Sequence, residues 1–396
     1  MKLAILGDHA ELPAICAELK SHGHQVVEAW GLSESHRSSI EQIFPSVVFP
    51  ADWSVLMDSP SGDVIAVLGT SGAVLDAARK LAAENRPLLV DANYGQGLGF
   101  IYELALVHDD NRVPLLPWCR ERFDPHIQSL RERLSTDETG EVQLIEWVLR
   151  LRSESRYLDP DQCEQQLLSD VDLLRQIGGD YNQITALESV SDSGGLLKRT
   201  VTLAGPDCPD AQWTIIPDPE RTSWKLDIRC VSASFSLEGD ATGPQRLTRD
   251  SEEIPSVAHE EDRGWGRSVS ALERSGMDQW INWTQLIRNF ETVDATRTSL
   301  RRRRTIDLYF ETASELSQFK TQMTAIGCGV LSFTLFGLVV YLAIASVFTL
   351  PGWLLQVLRL LWLLPLVIFL VLQLLVVLAR PSRHGDEPEA STLDSD

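Results

Sequence analysis

The sequence predicts an α/β body of two domains followed by two membrane-spanning helices. Three observations support this fold class. Short apolar runs alternate with segments of helical spacing in residues 1–134, which is typical of a parallel sheet flanked by helices. Runs in which polar and apolar residues alternate come next and predict antiparallel strands. Residues 326–348 and 360–379 contain no Asp, Glu, Lys or Arg and are long enough to cross a bilayer as helices.

The start of the chain predicts a strand, a turn, a helix and a second strand. Residues 2–6 form an apolar run that meets Gly7, residues 12–20 have helical spacing, and residues 24–29 form the next apolar run. This order is how a Rossmann-type domain begins. Such a domain holds a dinucleotide's pyrophosphate on the first turn, where unpaired N–H groups and the helix dipole favour an anion. Glu28 is spaced to accept from the ribose hydroxyls.

The first turn departs from the glycine pattern GxGxxG. It reads Gly7-Asp8-His9-Ala10-Glu11-Leu12, so only the first glycine is present. His9 fills the position that lets backbone approach a phosphate, and Asp8 adds negative charge beside an anionic ligand. Two interpretations stay open. The turn binds NAD or NADP, or it is a tight turn in a scaffold that binds no dinucleotide.

Further strands are predicted over residues 63–68, 87–90 and 113–118, with helices over 73–84, 98–107 and 125–134. Ligands of open parallel sheets bind at the carboxyl ends of strands, where loop residues follow two of these strands. The candidate cofactor-binding residues are therefore Gly7, Asp8, His9, Glu28, Gly69, Thr70 and Asp91.

The succession of these segments resembles the glucose-fructose oxidoreductase and inositol dehydrogenase (Gfo/Idh/MocA) family. The resemblance rests on a strand that leads into Asp91-Ala92-Asn93, a strand that leads into residues 117–125 (PWCRERFDP), and Gly140-Glu141-Val142. It implies a Rossmann-like domain over 1–138 and an α+β domain with an open, mostly antiparallel sheet over 139–320. It also implies hydride transfer between a sugar or polyol and NAD or NADP, and a homodimer through the open sheet.

The proton-handling residues of that family are replaced in this chain. Where the family has Glu-Lys-Pro, this chain has Asp91-Ala92-Asn93, and a methyl group cannot hold or move a proton. The family's His-x-x-Asp pair aligns with Ser169 and Asp172. A serine cannot replace an imidazole that titrates near neutral pH, and Asp172 by itself is interpreted as structural.

Three functions follow as hypotheses. The first is a binding, sensing or scaffolding module without the usual catalysis. The second is an active dehydrogenase of a sugar or polyol with a relocated base, for which Asp91 and His9 are candidates. The third is a structural partner of an unidentified protein in a membrane complex.

The later part of the body predicts strands, a polar excursion and a helix. Strands are predicted over 196–203, 212–216, 223–230 and 232–237, and residues 239–274 are expected to be a long mobile excursion. An apolar stripe at helical spacing then predicts a core helix. Its members are Trp280, Trp283, Leu286, Ile287 and Phe290.

Charge and cysteine usage exclude other classes. The net charge of -21 argues against a nucleic-acid partner, because phosphate neutralisation needs a basic face. The six cysteines are scattered without a CxxC pair, so the sequence predicts neither a disulfide framework nor a metal site.

The uncharged runs 326–348 and 360–379 predict a transmembrane hairpin over 323–380, with the bilayer as partner. Pro351 and Gly352 break the helix between them. Arginines precede the first span and follow the second, whereas the turn has no Lys or Arg. Positive charge stays on the cytoplasmic side, so both termini are predicted to be cytoplasmic. Residues 381–396 are predicted to be a disordered acidic tail.

Four consecutive arginines occupy positions 301–304, before the first span. They are called the arginine run below. One interpretation is attraction to anionic lipid, worth about 1 kcal/mol per residue near the surface. The other is a solvated basic face that pairs with the acidic body.

Overall fold

The computed structural model describes residues 1–58, 62–111, 115–135, 139–240, 245–255, 264–273, 280–308, 332–334 and 336–337. The chain divides into two compact units, residues 1–310 and 311–396. Except for 332–334 and 336–337, the predicted spans lie outside the described residues, as does the predicted tail 381–396. Among the described residues, no helix is both long enough and apolar enough to cross a bilayer.

A parallel sheet of five strands begins the first unit, in the order β2-β1-β3-β4-β5. Its strands are β1 (Lys2–Leu6), β2 (Gln25–Trp30), β3 (Val64–Val67), β4 (Leu88–Asp91) and β5 (Leu115–Trp118). The helices around it are α1 (Leu12–Ser21), α2 (Glu34–Ile43), α3 (Val55–Asp58), α4 (Gly72–Ala83), α5 (Gly97–Asn111) and α6 (Pro125–Leu134). The predicted alternation of strands and helices is confirmed.

Local chemistry explains where two of these helices begin. The Ser71 hydroxyl accepts from the N–H of Val74 and caps α4, and the Asp124 carboxylate accepts from the first N–H groups of α6. Both side chains satisfy donors that a helix N-terminus leaves unpaired. Every residue of β3, β4 and β5 is buried, as expected for a parallel sheet covered on both faces.

A mixed sheet of nine strands follows, in the order β13-β12-β11-β10-β6-β9-β8-β7-β14. The strands are β6 (Val142–Arg152), β7 (Gln183–Val190), β8 (Leu196–Gly205), β9 (Cys208–Asp218), β10 (Ser223–Cys230), β11 (Ser234–Asp240), β12 (Arg246–Arg249), β13 (Glu252–Ile254) and β14 (Ile306–Asp307). β6 and β9 run parallel, and the other neighbours are antiparallel. The predicted open, mostly antiparallel sheet is confirmed.

The remaining helices are α7 (Pro160–Gly178), α8 (Trp265–Glu273) and α9 (Trp283–Arg302). α7 covers β6 and β9, and α9 covers β7. The core helix expected from the apolar stripe is confirmed, since Leu286 and Phe290 are fully buried. The Trp283 indole N–H donates to the carbonyl oxygen of Leu115 in β5 (2.8 Å), so α9 also contacts the parallel sheet.

The expected mobile excursion over 239–274 is wrong for the residues described there. β12 and β13 extend the second sheet, and α8 packs against α1. The buried side chains of Leu247, Trp265 and Val269 hold these segments. They are too few and too widely spaced to be recognised within a polar stretch.

Candidate functional site

Glycines bring three loops together at the carboxyl edge of the parallel sheet. Gly7 has φ +95°, and a Cβ there would lie 2.6 Å from the backbone nitrogen of Gly69. A Cβ on Gly31, which follows β2, would lie 3.3 Å from the Cα of Gly7. Only glycine fits such a backbone approach without strain. Gly7 and Gly69 are therefore required by packing, whether or not a ligand binds.

Three N–H groups of the turn after β1 have acceptors within the turn itself. The N–H of His9 donates to the Asp8 carboxylate (3.1 Å), and the N–H of Glu11 donates to Nδ1 of His9 (3.1 Å). The N–H of Leu12 donates to the carbonyl oxygen of His9 (3.0 Å), and Pro13 has no N–H. A dinucleotide's pyrophosphate is held by such groups in a Rossmann-type turn. A pyrophosphate could therefore bind to these three N–H groups only by displacing their present acceptors.

The Asp8 carboxylate is held by the loop after β2. It accepts from the N–H of Ser33 (3.1 Å) and from the His36 ring. Partial burial raises the pKa of Asp8, but hydrogen bonds from His36 and Ser33 outweigh it and lower the pKa below its ordinary value. The turn thus carries a fixed negative charge where an anionic phosphate would approach.

Glu28 lies inside β2 rather than at its carboxyl end. It is opposite Ala4 of β1, and the strand continues to Trp30, which is opposite Leu6. Each strand residue adds about 3.3 Å, so Glu28 is roughly 7 Å from the edge where ligands of such sheets bind. The spacing that suggested a ribose contact did not reveal that β2 extends to Trp30.

His9 and Asp91 come together at the carboxyl edge, across the ends of β1 and β4. Nε2 of His9 is 3.7 Å from Oδ2 of Asp91. Because the N–H of Glu11 donates to Nδ1 of His9, a neutral His9 carries its proton on Nε2, towards Asp91. The only lone pair of this imidazole is then engaged by the backbone, which opposes a role as general base.

α8 covers the same edge. The ring of Trp265 lies edge-on to His9 (6.4 Å between centroids) and to Trp118 at the end of β5 (4.6 Å). The Trp118 indole N–H donates to the hydroxyl of Ser268 (2.6 Å), and the carboxylate of Glu18 in α1 accepts from the N–H of Gly266 (2.9 Å). Sequence reasoning missed this cover, since it lies in the predicted excursion.

Thr70 is exposed beside the turn that follows β4. A Cβ on Gly95 of that turn would lie 3.2 Å from the Thr70 side chain. Thr70 therefore faces solvent at the carboxyl edge, next to the β4 turn, while its neighbour Gly69 packs on Gly7.

Gln165 of α7 bridges to the turn that follows β4. Its amide oxygen accepts from the N–H of Tyr94 (2.7 Å), and its amide nitrogen donates to the carbonyl oxygen of Ala92 (3.4 Å). Ala92 and Ser169 are both partly buried. Gln165 thus ties α7 to the loop that carries Ala92.

Asp172 lies in a buried ion pair. Its carboxylate accepts two hydrogen bonds from Arg122 (2.7 and 2.8 Å) and further ones from Gln176 (2.6 Å) and Asn289 (3.1 Å). Burial raises the pKa of Asp172, but these hydrogen bonds and the charge of Arg122 lower it below its ordinary value. The carboxylate therefore links α7 and α9 and has no capacity left for a substrate.

Within the described ranges, no group of three or more His, Cys, Asp or Glu side chains is placed to hold a metal ion. The buried thiols are poor ligands and nucleophiles as well, since burial raises the pKa of Cys16 to about 12 and that of Cys163 to about 11. A thiol must ionise to attack or to bind metal.

A parallel sheet followed by an open mixed sheet defines a class of fold, that of the Gfo/Idh/MocA-type oxidoreductases. One solved example is a protein from Sinorhizobium meliloti 1021 assigned as a myo-inositol dehydrogenase. It is 13% identical in sequence, with a TM-score of 0.63 over 78% of this chain and 100% of that one.

Two further solved structures of this fold contain NAD. An oxidoreductase from Agrobacterium radiobacter, in complex with NAD+, L-tartaric acid and magnesium, is 16% identical, with a TM-score of 0.59 over 78% of this chain and 98% of that one. GenD2 from gentamicin A biosynthesis, in complex with NAD, is 14% identical, with a TM-score of 0.61 over 78% and 96%. No protein-family model and no curated protein matches the sequence. At these identities the comparison shows a shared fold.

Proposed function

We propose that this chain is a membrane-tethered, oxidoreductase-like protein that serves as a binding, sensing or scaffolding module and does not transfer hydride. The observation that supports this most is the turn after β1. Two N–H groups of this turn, those of His9 and Glu11, donate to the side chains of Asp8 and His9. A dinucleotide can take these groups only after both side chains have released them.

The residues around the would-be substrate position also support a loss of catalysis. Ala92 and Ser169 replace the two proton-handling groups of the resembled family. Asp172 keeps its position, but its oxygens are engaged by Arg122, Gln176 and Asn289. Gln165 ties the loop of Ala92 to α7. Proton transfer needs a group that can take or give a proton within hydrogen-bond distance of the substrate. Ala92 carries no such group, Ser169 is a poor one near neutral pH, and the Asp172 carboxylate is already engaged.

The membrane tether is supported by the sequence. Residues 326–348 and 360–379 are free of charged side chains, and arginines flank the pair. Such a pattern predicts two spans with both termini on the cytoplasmic side. The body would then act at the inner surface of a bilayer, alone or with a membrane-protein partner.

The test is a titration of the full chain, purified in detergent, with NADH and NADPH. Calorimetry and nicotinamide fluorescence should show no saturable binding up to millimolar dinucleotide. A panel of sugars and polyols should produce no reduced cofactor from NAD or NADP. Turnover of any of these substrates would overturn the proposal. A dinucleotide-binding oxidoreductase of the same fold serves as the positive control.

The second candidate function is an NAD- or NADP-dependent dehydrogenase with a relocated base. The observation that favours it is the pairing of His9 with Asp91, since both lie at the carboxyl edge and His9 is only 3.7 Å from a carboxylate that could stabilise its cation. It predicts turnover that His9→Gln abolishes while dinucleotide affinity is retained. It also predicts that Glu28→Ala weakens the binding of the cofactor.

A homodimer through the open sheet is a further proposal. The outer face of that sheet carries cross-strand ion pairs such as Arg229 with Glu146 (3.6 Å) and Arg246 with Glu238 (3.8 Å). A polar face of this kind can pack against the same face of a second subunit, or it can remain exposed to solvent. Light scattering of the detergent-solubilised chain separates a dimer from a monomer.

A further inference from the structure

The arginine run lies at the C-terminal end of α9, and all four side chains are exposed. None of them forms an ion pair within the described part of the chain. Eleven arginines elsewhere in the described part of the chain form ion pairs with carboxylates, although not every arginine does. The paired ones are Arg79, Arg122, Arg152, Arg175, Arg199, Arg221, Arg229, Arg246, Arg249, Arg288 and Arg297. The alternative in which the run pairs with the acidic body therefore has no contact to support it.

The helix dipole explains the positions of only two of the four arginines. Arg301 and Arg302 lie in the last turn of α9, where cations interact favourably with the helix dipole. Arg303 and Arg304 follow the helix and gain little from it. Arg303 has φ 52°, a left-handed conformation that glycine or asparagine usually provides at this position. Arg303 therefore occupies a position whose left-handed backbone conformation disfavours an arginine.

The backbone of the run is held in place. The carbonyl oxygen of Arg304 accepts from the hydroxyl of Ser299 (2.8 Å), and the Ser299 hydroxyl in turn accepts from the N–H of Ala186 in β7 (2.9 Å). Thr305 bonds to Thr185 (2.7 Å), and β14 then pairs with the start of β7. The backbone that carries the four arginine side chains is therefore fixed at the edge of the second sheet formed by β7 and β14.

We infer that the arginine run is a contact surface for the headgroups of anionic lipids. The inference rests on the proposed membrane tether, which brings this end of the body to the bilayer within about twenty residues. Guanidinium groups bind phosphate and carboxylate groups through paired hydrogen bonds. The whole chain has a net charge of -21, so the part outside the arginine run is repelled by an anionic surface. Lipid contact at this end would turn the β7 and β14 edge towards the membrane.

A polyanion such as nucleic acid offers similar phosphates, but the charge of the body disfavours it. Nucleic-acid binding needs a broad basic face along the duplex or strand, and the run is a single short cluster. A lipid surface requires only that one end of the molecule be basic.

The experiment compares the full chain in nanodiscs of phosphatidylcholine alone with nanodiscs that also contain phosphatidylserine. Hydrogen–deuterium exchange is followed in peptides that cover residues 299–308. Phosphatidylserine should slow exchange there about fivefold or more, because the free energy that one arginine gains near an anionic surface shifts the contact equilibrium by about that factor. The effect should disappear in high salt. Inorganic phosphate and a single-stranded oligonucleotide, each added to the phosphatidylcholine discs, should give no such protection.

Two variants sharpen this test. Replacing all four residues by glutamine (Arg301→Gln, Arg302→Gln, Arg303→Gln and Arg304→Gln) should abolish the effect of phosphatidylserine. A matched control removes the same charge from exposed positions on the second sheet (Arg150→Gln, Arg221→Gln, Arg229→Gln and Arg246→Gln) and should retain it. Arg303→Gly should raise stability, because glycine suits the left-handed position, and should still weaken the lipid effect.

Equal exchange in the two kinds of disc would overturn the inference, as would equal protection by phosphate or by the oligonucleotide. Protection that survives the fourfold replacement would overturn it too. Failure of the chain to elute with nanodiscs of either composition is a different result, because it contradicts the membrane tether itself.

Discussion

The carboxyl edge of the parallel sheet and the end of α9 differ in how their charged groups are satisfied. At the sheet edge, Asp8 and Asp172 are held by several donors each, and His9 is engaged through both ring nitrogens. At the end of α9, the arginine run is exposed and forms no ion pair among the described residues. Ligands of open parallel sheets bind at a region of the first kind, yet here it is the second region that presents unpaired charge to solvent.

This difference indicates that the charged groups of the carboxyl edge are committed to contacts within the described part of the protein, whereas those of the arginine run are not. Charges that are buried and fully hydrogen-bonded stabilise a fold, whereas exposed and unpaired charges contribute little to it. Substitutions in the two regions should therefore have opposite signatures. Those at the sheet edge should change stability, and those in the run should change binding.

The largest effect is expected for Arg122→Leu. It would leave the Asp172 carboxylate buried without its cation, and breaking one side of a buried pair costs about 3–5 kcal/mol. Urea unfolding of the full chain in detergent, followed by tryptophan fluorescence, should show this loss. The matched control is Arg229→Leu, which breaks an exposed pair with Glu146 and should cost less than about 1 kcal/mol. Similar losses in the two variants would contradict the account.

The next effect concerns Asp170, which is two residues from Asp172 on α7 but pairs with the Trp213 indole N–H (2.7 Å) rather than with a cation. Burial raises the pKa of Asp170 from 3.8 to about 7. The unfolded chain releases this proton near pH 4 and the folded chain near pH 7, so stability falls as pH rises through that window. Below pH 4 the group has no such effect.

Asp170→Asn should remove this dependence, because the amide oxygen can still accept from Trp213. The variant should be more stable above pH 7 by up to about 4 kcal/mol, since each pKa unit corresponds to about 1.4 kcal/mol, and nearly equal to the original near pH 4. Unfolding curves at pH 4, 6 and 8 measure the difference. A variant that is equally destabilised at all three pH values would contradict this prediction, because it would show that the ionisation of Asp170 does not affect stability.

A smaller effect is expected for Tyr94→Phe. The Tyr94 hydroxyl donates to Asp294 (2.9 Å) and accepts from Arg297 (2.9 Å), joining the β4 turn to α9. Loss of such a hydrogen-bonded group costs about 1 kcal/mol. Thermal unfolding should show a decrease of that size. Leu106→Ala, at an exposed position of α5, is the control and should change little.

The smallest effect on stability is expected for the fourfold glutamine replacement of the arginine run. Surface substitutions that break no contact usually stay within about 0.5 kcal/mol. The unfolding midpoint should therefore be unchanged within that range, even though lipid contact is lost. A loss of several kcal/mol would mean that the run is part of the fold after all.

The sequence was informative wherever periodicity decided the outcome. The alternation from β1 to α6 could be predicted because apolar runs, glycines and helix caps such as Asp124 lie close together in the chain. The apolar stripe of α9 could be predicted for the same reason. The length of β2 was harder to judge. Trp30 extends the strand beyond Ala29, and this extension leaves Glu28 inside the sheet.

The contacts at the carboxyl edge of the parallel sheet could not be predicted, because they join residues far apart in the chain. Asp8 meets His36, His9 meets Trp265, and Gln165 meets the turn after β4. α8 was not predicted, because its few apolar residues lie within the polar stretch 239–274. The departures from the glycine pattern indicated an unusual turn after β1, but only the fold shows which contacts its side chains make.

The most direct test of the account is a parallel NADH titration of the full chain and of the double variant Asp8→Ala, His9→Gly. The substitutions remove the carboxylate and the imidazole that now accept from the turn's N–H groups, and His9→Gly restores one further glycine of the pattern. The account predicts no saturable binding by the original chain up to millimolar NADH and measurable binding by the variant. Binding by the original chain that is as tight as that of the variant would contradict it.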